Sequence, residues 1–127
     1  MSLNEYLTHL SGALSSLHDF GVADLVEFNS ELREGQRCLV TAQVVFVDGS
    51  IFYLKEFISG RYSIDRLSYS YHYQTSSGSL NFRYDNAEHK PKLAFKEHKH
   101  LADDSIIQHI PPSIEALSNE ILTYFDT

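Results

Sequence analysis

The sequence lacks the features that mark membrane, secreted and disulfide-rich proteins. It has one cysteine, Cys38, which cannot form an internal disulfide. Because Cys38 lies in the apolar run CLVTAQVVFV, we expect a buried, unreactive thiol. No apolar run approaches the roughly 20 residues of a membrane-spanning helix, and MSLNEYLTHL has neither the basic nor the apolar region of a signal peptide. We therefore expect a cytoplasmic protein that does not associate with membranes.

Familiar catalytic motifs are also absent. There is no GxSxG, no glycine-rich phosphate-binding loop and no CxxC pair, which argues against serine hydrolases, P-loop NTPases and thioredoxin-like proteins. Ligand spacings typical of metal sites, such as HExxH, are missing, and the histidines would have to converge across long gaps. We therefore predict no metal and no cofactor, and keep a metal site at the histidines as the less favoured alternative.

The composition is that of one soluble globular domain, which we place at residues 1–127. Of the 127 residues, 43% are hydrophobic and 21% are charged. The net charge of −7 argues against general nucleic-acid binding. However, residues 55–100 carry eight lysines and arginines against five acids, together with four of the seven histidines. Such asymmetry can concentrate an anionic ligand on one region of a protein.

Apolar periodicity predicts an α+β fold. Residues 2–18 have a leucine stripe at helical spacing behind a Ser2/Glu5 capping box, and a second helix is expected after the Pro-Pro-Ser at 111–113. Between the helices, turn signals separate five runs with strand character: LVEFNSELR, CLVTAQVVFV, IFYLKEFI, RYSIDRLSYSYHYQ and SLNFRYD. We predict a roughly five-stranded antiparallel meander with both helices on one face. Residues 86–110 are expected to be irregular, apart from a short helix or strand in LADDSIIQHI.

The last two predicted strands indicate which side chains share a face. With a turn at Ser76-Ser77, Tyr71 would lie opposite Phe82. The aromatic residues of both strands then lie on one face, which we expect beneath the helices. The other face is polar and open, and we expect it to carry Arg66, Ser70, His72, Arg83 and Asp85.

This set of side chains fits metal-independent cleavage of RNA. Attack by a 2′-hydroxyl needs a base and an acid that titrate near neutrality, which histidine supplies, and cations that hold the charge developing on phosphorus. The candidates for catalysis are Arg83, Asp85, His89, His98, His100 and His72. The candidates for substrate binding, including a tyrosine that would stack on a base, are Lys55, Arg66, Tyr71 and Lys99. Taken singly, each of these residues is explained as well by packing or by surface charge.

Three segments together carry a family resemblance. They are YSYHY at residues 69–73, FRYDNA at 82–87 and HKHL at 98–101. In their order between two helices they resemble the TumE-like toxin family of prokaryotic toxin–antitoxin systems. The resemblance implies a small cytoplasmic growth inhibitor encoded beside an antitoxin with a DNA-binding helix-turn-helix domain. Combined with the cationic, histidine-rich span, it leads to the hypothesis of a toxin that acts on RNA as a ribonuclease.

Alternatives to this hypothesis stay open. The protein could instead be a non-catalytic binding module whose basic, histidine-rich region docks a protein partner or nucleic acid. A homodimer is a further arrangement that the sequence allows, because a second copy could pair with the LVEFNSELR strand at a sheet edge. Glu27, Glu31 and Glu34 are charges of the kind that oppose such pairing.

Overall fold

The structure, a computed structural model, describes residues 1–88 and 90–125. Helix α1 (Leu3–Asp19) begins where the sequence predicts it. Ser2 and Glu5 exchange hydrogen bonds of 3.0 and 3.1 Å between backbone N–H groups and side-chain oxygens, and this capping box satisfies two N–H groups that the first turn leaves free. The buried stripe of the helix is Leu10, Leu14 and Leu17.

In the described part of the chain, seven strands follow and form one antiparallel sheet in sequence order. They are β1 (Ala23–Arg33), β2 (Arg37–Phe46), β3 (Ile51–Ser59), β4 (Asp65–Gln74), β5 (Leu80–Asp85), β6 (His98–Leu101) and β7 (Ile106–Gln108). Helix α2 (Ile114–Leu122) and a 3₁₀ turn (Thr123–Phe125) come last. The predicted α+β class, the meander and the two helices are confirmed.

The sheet has two more strands than the five predicted. Strands β6 and β7 fall within residues 86–110, most of which were expected to be irregular. The β6 sequence is HKHL, only four residues long and without a β-branched residue, so neither periodicity nor propensity reveals it. Its strand conformation comes from pairing with β5, where His98 lies opposite Asp85 and His100 opposite Arg83.

Both helices pack on one face of the sheet, as predicted. Alternate residues of β2 are buried there, from Cys38 to Phe46, in one hydrophobic cluster with Leu14 of α1 and Leu117 of α2. Truncating a side chain such as Leu14 to alanine is expected to cost about 2–5 kcal/mol of stability. Cys38 is fully buried, and this burial raises the pKa of its thiol.

The pairing of β4 with β5 differs from the predicted register. Tyr71 lies opposite Tyr84 rather than Phe82, so the register is displaced by two residues. The turn between the strands is longer than the predicted two-residue tip, with Gly78 in a left-handed conformation, and the register also shifts between Tyr73 and Gln74. A displacement of two residues leaves every side chain on its own face. The separation into an aromatic face and a polar face therefore holds for this hairpin.

Strand β1 lies at one edge of the sheet, as expected, and most of its residues are exposed, Glu27 and Glu31 among them. Such charges oppose pairing with another chain, and a homodimer through this edge stays a prediction. Within the described residues, neither helix has the length and apolar character needed to cross a lipid bilayer.

Candidate active site

Two rows of side chains cross the open face of the sheet from β3 to β6. Partners across antiparallel strands point to the same face, and adjacent strands are only about 4.8 Å apart, so the rows form one continuous surface. The first row is Tyr53, His72, Arg83 and His100, and the second is Lys55, Ser70, Asp85 and His98.

Three of these residues converge, and we call Asp85, His98 and His100 the trio. Asp85 Oδ1 lies 2.9 Å from His98 Nε2, Asp85 Oδ2 lies 3.5 Å from His100 Nε2, and the two Nε2 atoms are 3.1 Å apart. The side chains of Asp85 and His98 are only 6% and 1% exposed, whereas that of His100 is 23% exposed. Solvent therefore reaches the trio on the His100 side.

The carboxylate of Asp85 is held by further donors. Arg83 Nε donates to Oδ2 over 2.9 Å, and the backbone N–H of Ala87 donates to Oδ1 over 3.1 Å. A carboxylate at this depth needs such donors, because an unpaired buried charge costs several kcal/mol. The Arg83 side chain is itself 39% exposed. Its guanidinium can therefore orient Asp85 and still offer N–H groups to an anion from solvent.

The hydrogen-bond partners of two histidines show which ring nitrogen carries the proton. His98 Nδ1 lies 2.7 Å from the carbonyl oxygen of Lys96, which only accepts, so Nδ1 carries a proton and Nε2 faces the rest of the trio. His72 Nδ1 lies 3.4 Å from Arg83 Nη1, which only donates. The proton of a neutral His72 is therefore on Nε2, which donates to Gln74 Oε1 over 3.0 Å.

The loop between β5 and β6 is anchored to the trio at both ends. The N–H of Ala87 binds Asp85, and the carbonyl of Lys96 binds His98. An open cavity of about 550 Å³ along this loop is lined by Ala87, Glu88, Lys90, Lys92, Leu93, Ala94, Phe95 and Lys96. Three lysines therefore line a cavity along a loop whose two ends are hydrogen-bonded to the trio.

The structure gathers five of the six predicted catalytic residues on one surface. These are His72, Arg83, Asp85, His98 and His100. The sixth, His89, lies outside the described residues. Sequence reasoning correctly expected His72, Arg83 and Asp85 on a shared face, but it placed the two β6 histidines in a segment that was expected to be irregular.

Arg66 lies on the helix-covered face, which corrects its predicted place on the open face. The pairing between β3 and β4 shifts from Phe57 opposite Ser68 to Ile58 opposite Arg66, which leaves Leu67 as an extra residue. Such a β-bulge reverses the alternation of side chains on the bulged strand. Since Ile58 is buried beneath the helices, Arg66 points there as well.

Tyr71 is fully buried on the helix-covered face and so does not face the open side, and its predicted contact with substrate stays a prediction. Its hydroxyl donates to the carboxylate of Glu56, and Tyr6 donates to the same carboxylate over 2.6 Å. Arg66 Nη1 in turn donates to the Tyr71 oxygen over 2.8 Å and to the carbonyl of Pro112 over 2.6 Å. Burial, and after it the charge of Glu56, raises the pKa of Tyr71 far above its usual range.

Lys99 also points beneath the helices, away from the open face where substrate was predicted to bind. Its Nζ lies 2.7 Å from Glu120 Oε2 of α2 and 4.8 Å from the centre of the Tyr84 ring. Because Lys99 alternates with His98 and His100 along β6, those histidines face the opposite side. Lys99 therefore connects β6 to α2.

Sequence reasoning missed Tyr53 as the tyrosine beside the site. Its side chain is 39% exposed, and its ring centre lies 6.0 Å from that of His72. Together with Lys55 and Ser70 it lines an open groove of about 420 Å³ on the polar face. The signal was present in IFYLKEFI, where Tyr53 and Lys55 occupy alternate positions on one face.

Residues 14–127, nearly the whole chain, match the sequence profile of the family described as Toxin TumE. The chain belongs to the TumE toxin family. The resemblance seen in YSYHY, FRYDNA and HKHL is confirmed. Membership in TumE supports a toxin role and, in general, an antitoxin partner. No curated protein and no solved structure gives a significant match to the chain.

In this TumE protein the three motif segments come together as neighbouring strands. YSYHY supplies His72 from β4, FRYDNA supplies Arg83 and Asp85 from β5, and HKHL supplies His98 and His100 from β6. The site combines imidazoles, which accept and donate protons, with a guanidinium that binds oxyanions. The trio also has the nitrogen and oxygen donors that hold late transition metals.

Proposed function

We propose that this TumE protein inhibits growth by cleaving RNA at the open face of β4, β5 and β6. The observation that carries the proposal is the position of Arg83 between His72 and His100 in one cross-strand row. In-line attack of a 2′-hydroxyl on the neighbouring phosphorus requires a base and an acid on opposite sides of the phosphate, with positive charge beside it. A phosphate on Arg83 would have one histidine on each side.

His72 and His100 are the proton-transfer groups in this proposal. One imidazole accepts the proton of the 2′-hydroxyl as its oxygen bonds to phosphorus, and the other donates a proton to the departing 5′ oxygen. Arg83 holds the charge that accumulates on the non-bridging oxygens. The products are a 2′,3′-cyclic phosphate and a 5′-hydroxyl, and no cofactor takes part.

Asp85 and His98 are positioning residues in this proposal. His98 is too deeply buried to contact RNA, and Asp85 accepts hydrogen bonds from Arg83 and from the backbone of Ala87. Asp85 orients the guanidinium toward solvent, and His98 keeps His100 in place beside it. We expect their substitution to act through the geometry of Arg83 and His100.

The surroundings suit a single-stranded polyanion. Exposed aromatic rings stack on bases, and cations follow the phosphate backbone. Tyr53 and Lys55 line the groove on the open face, and the three lysines of the β5–β6 loop line the cavity along that loop. Outside residues 55–100 the chain has two cations against twelve acids, so a polyanion is directed toward this side of the molecule.

Incubation of purified protein with a short RNA tests the proposed chemistry. We expect fragments ending in a 2′,3′-cyclic phosphate, and no cleavage when the nucleotide at the cut position lacks its 2′-hydroxyl. Arg83→Ala and His100→Ala should lower the cleavage rate by about 10²–10⁴-fold, the usual contribution of one acid–base group. Arg61→Ala and His18→Ala, at exposed positions away from the site, are the matched controls and should cleave normally.

Growth under induced expression tests the site in the cell. Alanine at Arg83, His98 or His100 should relieve growth inhibition, while circular dichroism checks that each variant is folded. Toxicity that persists in all three folded variants would show that the proposed site is wrong.

The cationic loop favours non-catalytic binding as the second candidate function. In that case the RNA stays intact at high protein concentration but binds tightly, and alanine at Lys90, Lys92 and Lys96 together weakens the binding. The same incubation with RNA therefore separates the two functions.

We further infer that the partner is a cognate antitoxin with a helix-turn-helix domain. This inference is supported by the resemblance of the motif segments and by the toxin family. Co-expression with the product of the neighbouring gene should restore growth, and the two proteins should co-purify. A metabolic enzyme encoded at that position would contradict the inference.

A further inference from the structure

We propose that the trio also binds one divalent transition-metal ion of the Zn²⁺ class, and that the bound ion inhibits RNA cleavage. The first part concerns Asp85, His98 and His100 alone and holds whatever the protein does. The second part rests on the proposed function.

Each residue of the trio offers one donor atom, and these atoms lie within 4.8 Å of one another, close enough to be ligands of a single small ion. Zn²⁺ binds imidazole nitrogen and carboxylate oxygen at about 2.0–2.2 Å, so two of its ligands are about 2.8–3.1 Å apart at a right angle and about 3.3–3.6 Å apart at a tetrahedral angle. Asp85 Oδ1 lies 2.9 Å from His98 Nε2, the two Nε2 atoms are 3.1 Å apart, and Asp85 Oδ2, the other carboxylate oxygen, lies 3.5 Å from His100 Nε2. Two histidines and one carboxylate form a donor set that suits late first-row ions.

The protons on the trio favour a cation at its centre. With the Nδ1 proton of His98 donated to the carbonyl of Lys96, the Nε2 of a neutral His98 presents a lone pair to Asp85 Oδ1, 2.9 Å away. Two lone pairs at this distance repel each other unless positive charge lies between them. A proton between Oδ1 and Nε2 relieves this repulsion for one pair of atoms, whereas a metal ion attracts a lone pair from each of the three residues.

The surrounding hydrogen bonds are those of a preorganised metal site. Histidine ligands usually donate their second N–H to a carbonyl or carboxylate, which fixes the tautomer and the ring orientation, and His98 does so to Lys96. Asp85 keeps one oxygen toward Arg83 while the other faces His98. Because solvent reaches the trio at His100, an ion would enter on that side and meet His100 first.

Metal binding and proton transfer exclude each other at His100. An Nε2 atom that donates its lone pair to a metal ion cannot accept the proton of a 2′-hydroxyl. An ion next to Asp85 also competes with Arg83 for the carboxylate. The metal-free form is therefore the active ribonuclease, and a transition metal acts as a reversible inhibitor of it.

Calorimetric titration of tag-free, metal-stripped full-length protein with Zn²⁺ tests the site without RNA. We expect one ion per chain and an increase in thermal stability. His100→Ala should weaken the affinity for Zn²⁺ by at least about tenfold, since even the loss of a residue that only hydrogen-bonds to a ligand has an effect of this size. His18 is an exposed histidine on α1, and His18→Ala should leave the affinity unchanged. The absence of one-to-one binding, or equal affinity in His100→Ala, would overturn the metal site.

The cleavage assay with added metal tests the inhibition. Equimolar Zn²⁺ should suppress RNA cleavage, and a chelator should restore it. Cleavage that rises with Zn²⁺ would overturn the proposed inhibition but would not contradict metal binding by the trio. A failure of the proposed function looks different: RNA stays intact with or without chelator, while the titration still reports one ion on the trio.

Discussion

Asp85 on β5 and His98 on β6 lie directly opposite each other, with 2.9 Å between Oδ1 and Nε2. The two residues belong to separate sequence motifs, and a loop joins their strands. Strand β6 has little strand propensity of its own. The contact and the strand therefore depend on each other, because pairing with β5 brings His98 to Asp85 and buries both side chains.

Replacement of Asp85 by alanine should therefore weaken β6 as well as the site. Its loss leaves the Arg83 guanidinium and the Ala87 N–H without this acceptor, and we expect the free energy of unfolding to fall by about 2–4 kcal/mol. Urea denaturation measures the change, and hydrogen exchange should show lost protection in β6. Asp24→Ala, at an exposed position on β1, is the control, and an equally small effect of both substitutions would contradict this prediction.

Alkaline pH should destabilise the protein through its buried tyrosines. Burial first, and then neighbouring carboxylates, raises the pKa of Tyr6, Tyr71 and Tyr84 above the usual value. A raised pKa in the folded state contributes stability that is fully present below the unfolded pKa of about 10 and is lost as pH rises above it. Thermal melting between pH 8 and pH 11 should show this loss, and Tyr71→Phe should make the dependence above pH 10 less steep. A melting temperature that stays constant to pH 11 would argue against it.

Substitution of Lys99 should affect stability and leave the proposed activity intact. The Lys99–Glu120 pair is partly exposed, at 15% and 26%, so we expect Lys99→Ala to cost about 1 kcal/mol including the contact with the Tyr84 ring. Combining it with Glu120→Ala in a double-mutant cycle isolates the pair. RNA cleavage per folded molecule should equal that of the wild type. A selective loss of cleavage would instead support the prediction that Lys99 binds substrate.

Tyr53 should contribute to RNA binding if the groove holds the substrate. Stacking of a base on an aromatic ring is worth about 1–3 kcal/mol, so Tyr53→Ala should raise the KM for RNA by about 5–150-fold with little change in kcat. Tyr62→Ala removes a tyrosine that is 90% exposed but lies away from the groove, and it should behave as wild type. Equal KM values for the two variants would exclude Tyr53 as a base-stacking residue.

Most of the site's location could be predicted because side chains alternate between the two faces of a strand. An error of two residues in the register therefore leaves each side chain on its predicted face. The β4–β5 register was displaced by two residues, yet His72, Arg83 and Asp85 still share the polar face. The same reasoning predicted the wrong face for Arg66. A bulge at Leu67 reverses the alternation there, and a bulge is decided by how two strands pair rather than by local sequence.

The sequence by itself determined the two helices, the meander, the polar face and the family, because each depends on local periodicity, turn residues or short motifs. Only the tertiary structure decided that HKHL is a strand and that its histidines meet Asp85. Four residues without a propensity signal adopt an extended conformation here because β5 offers them backbone partners and a buried carboxylate. The same packing turned Lys99 and Tyr71 beneath the helices and left Tyr53 as the tyrosine beside the site.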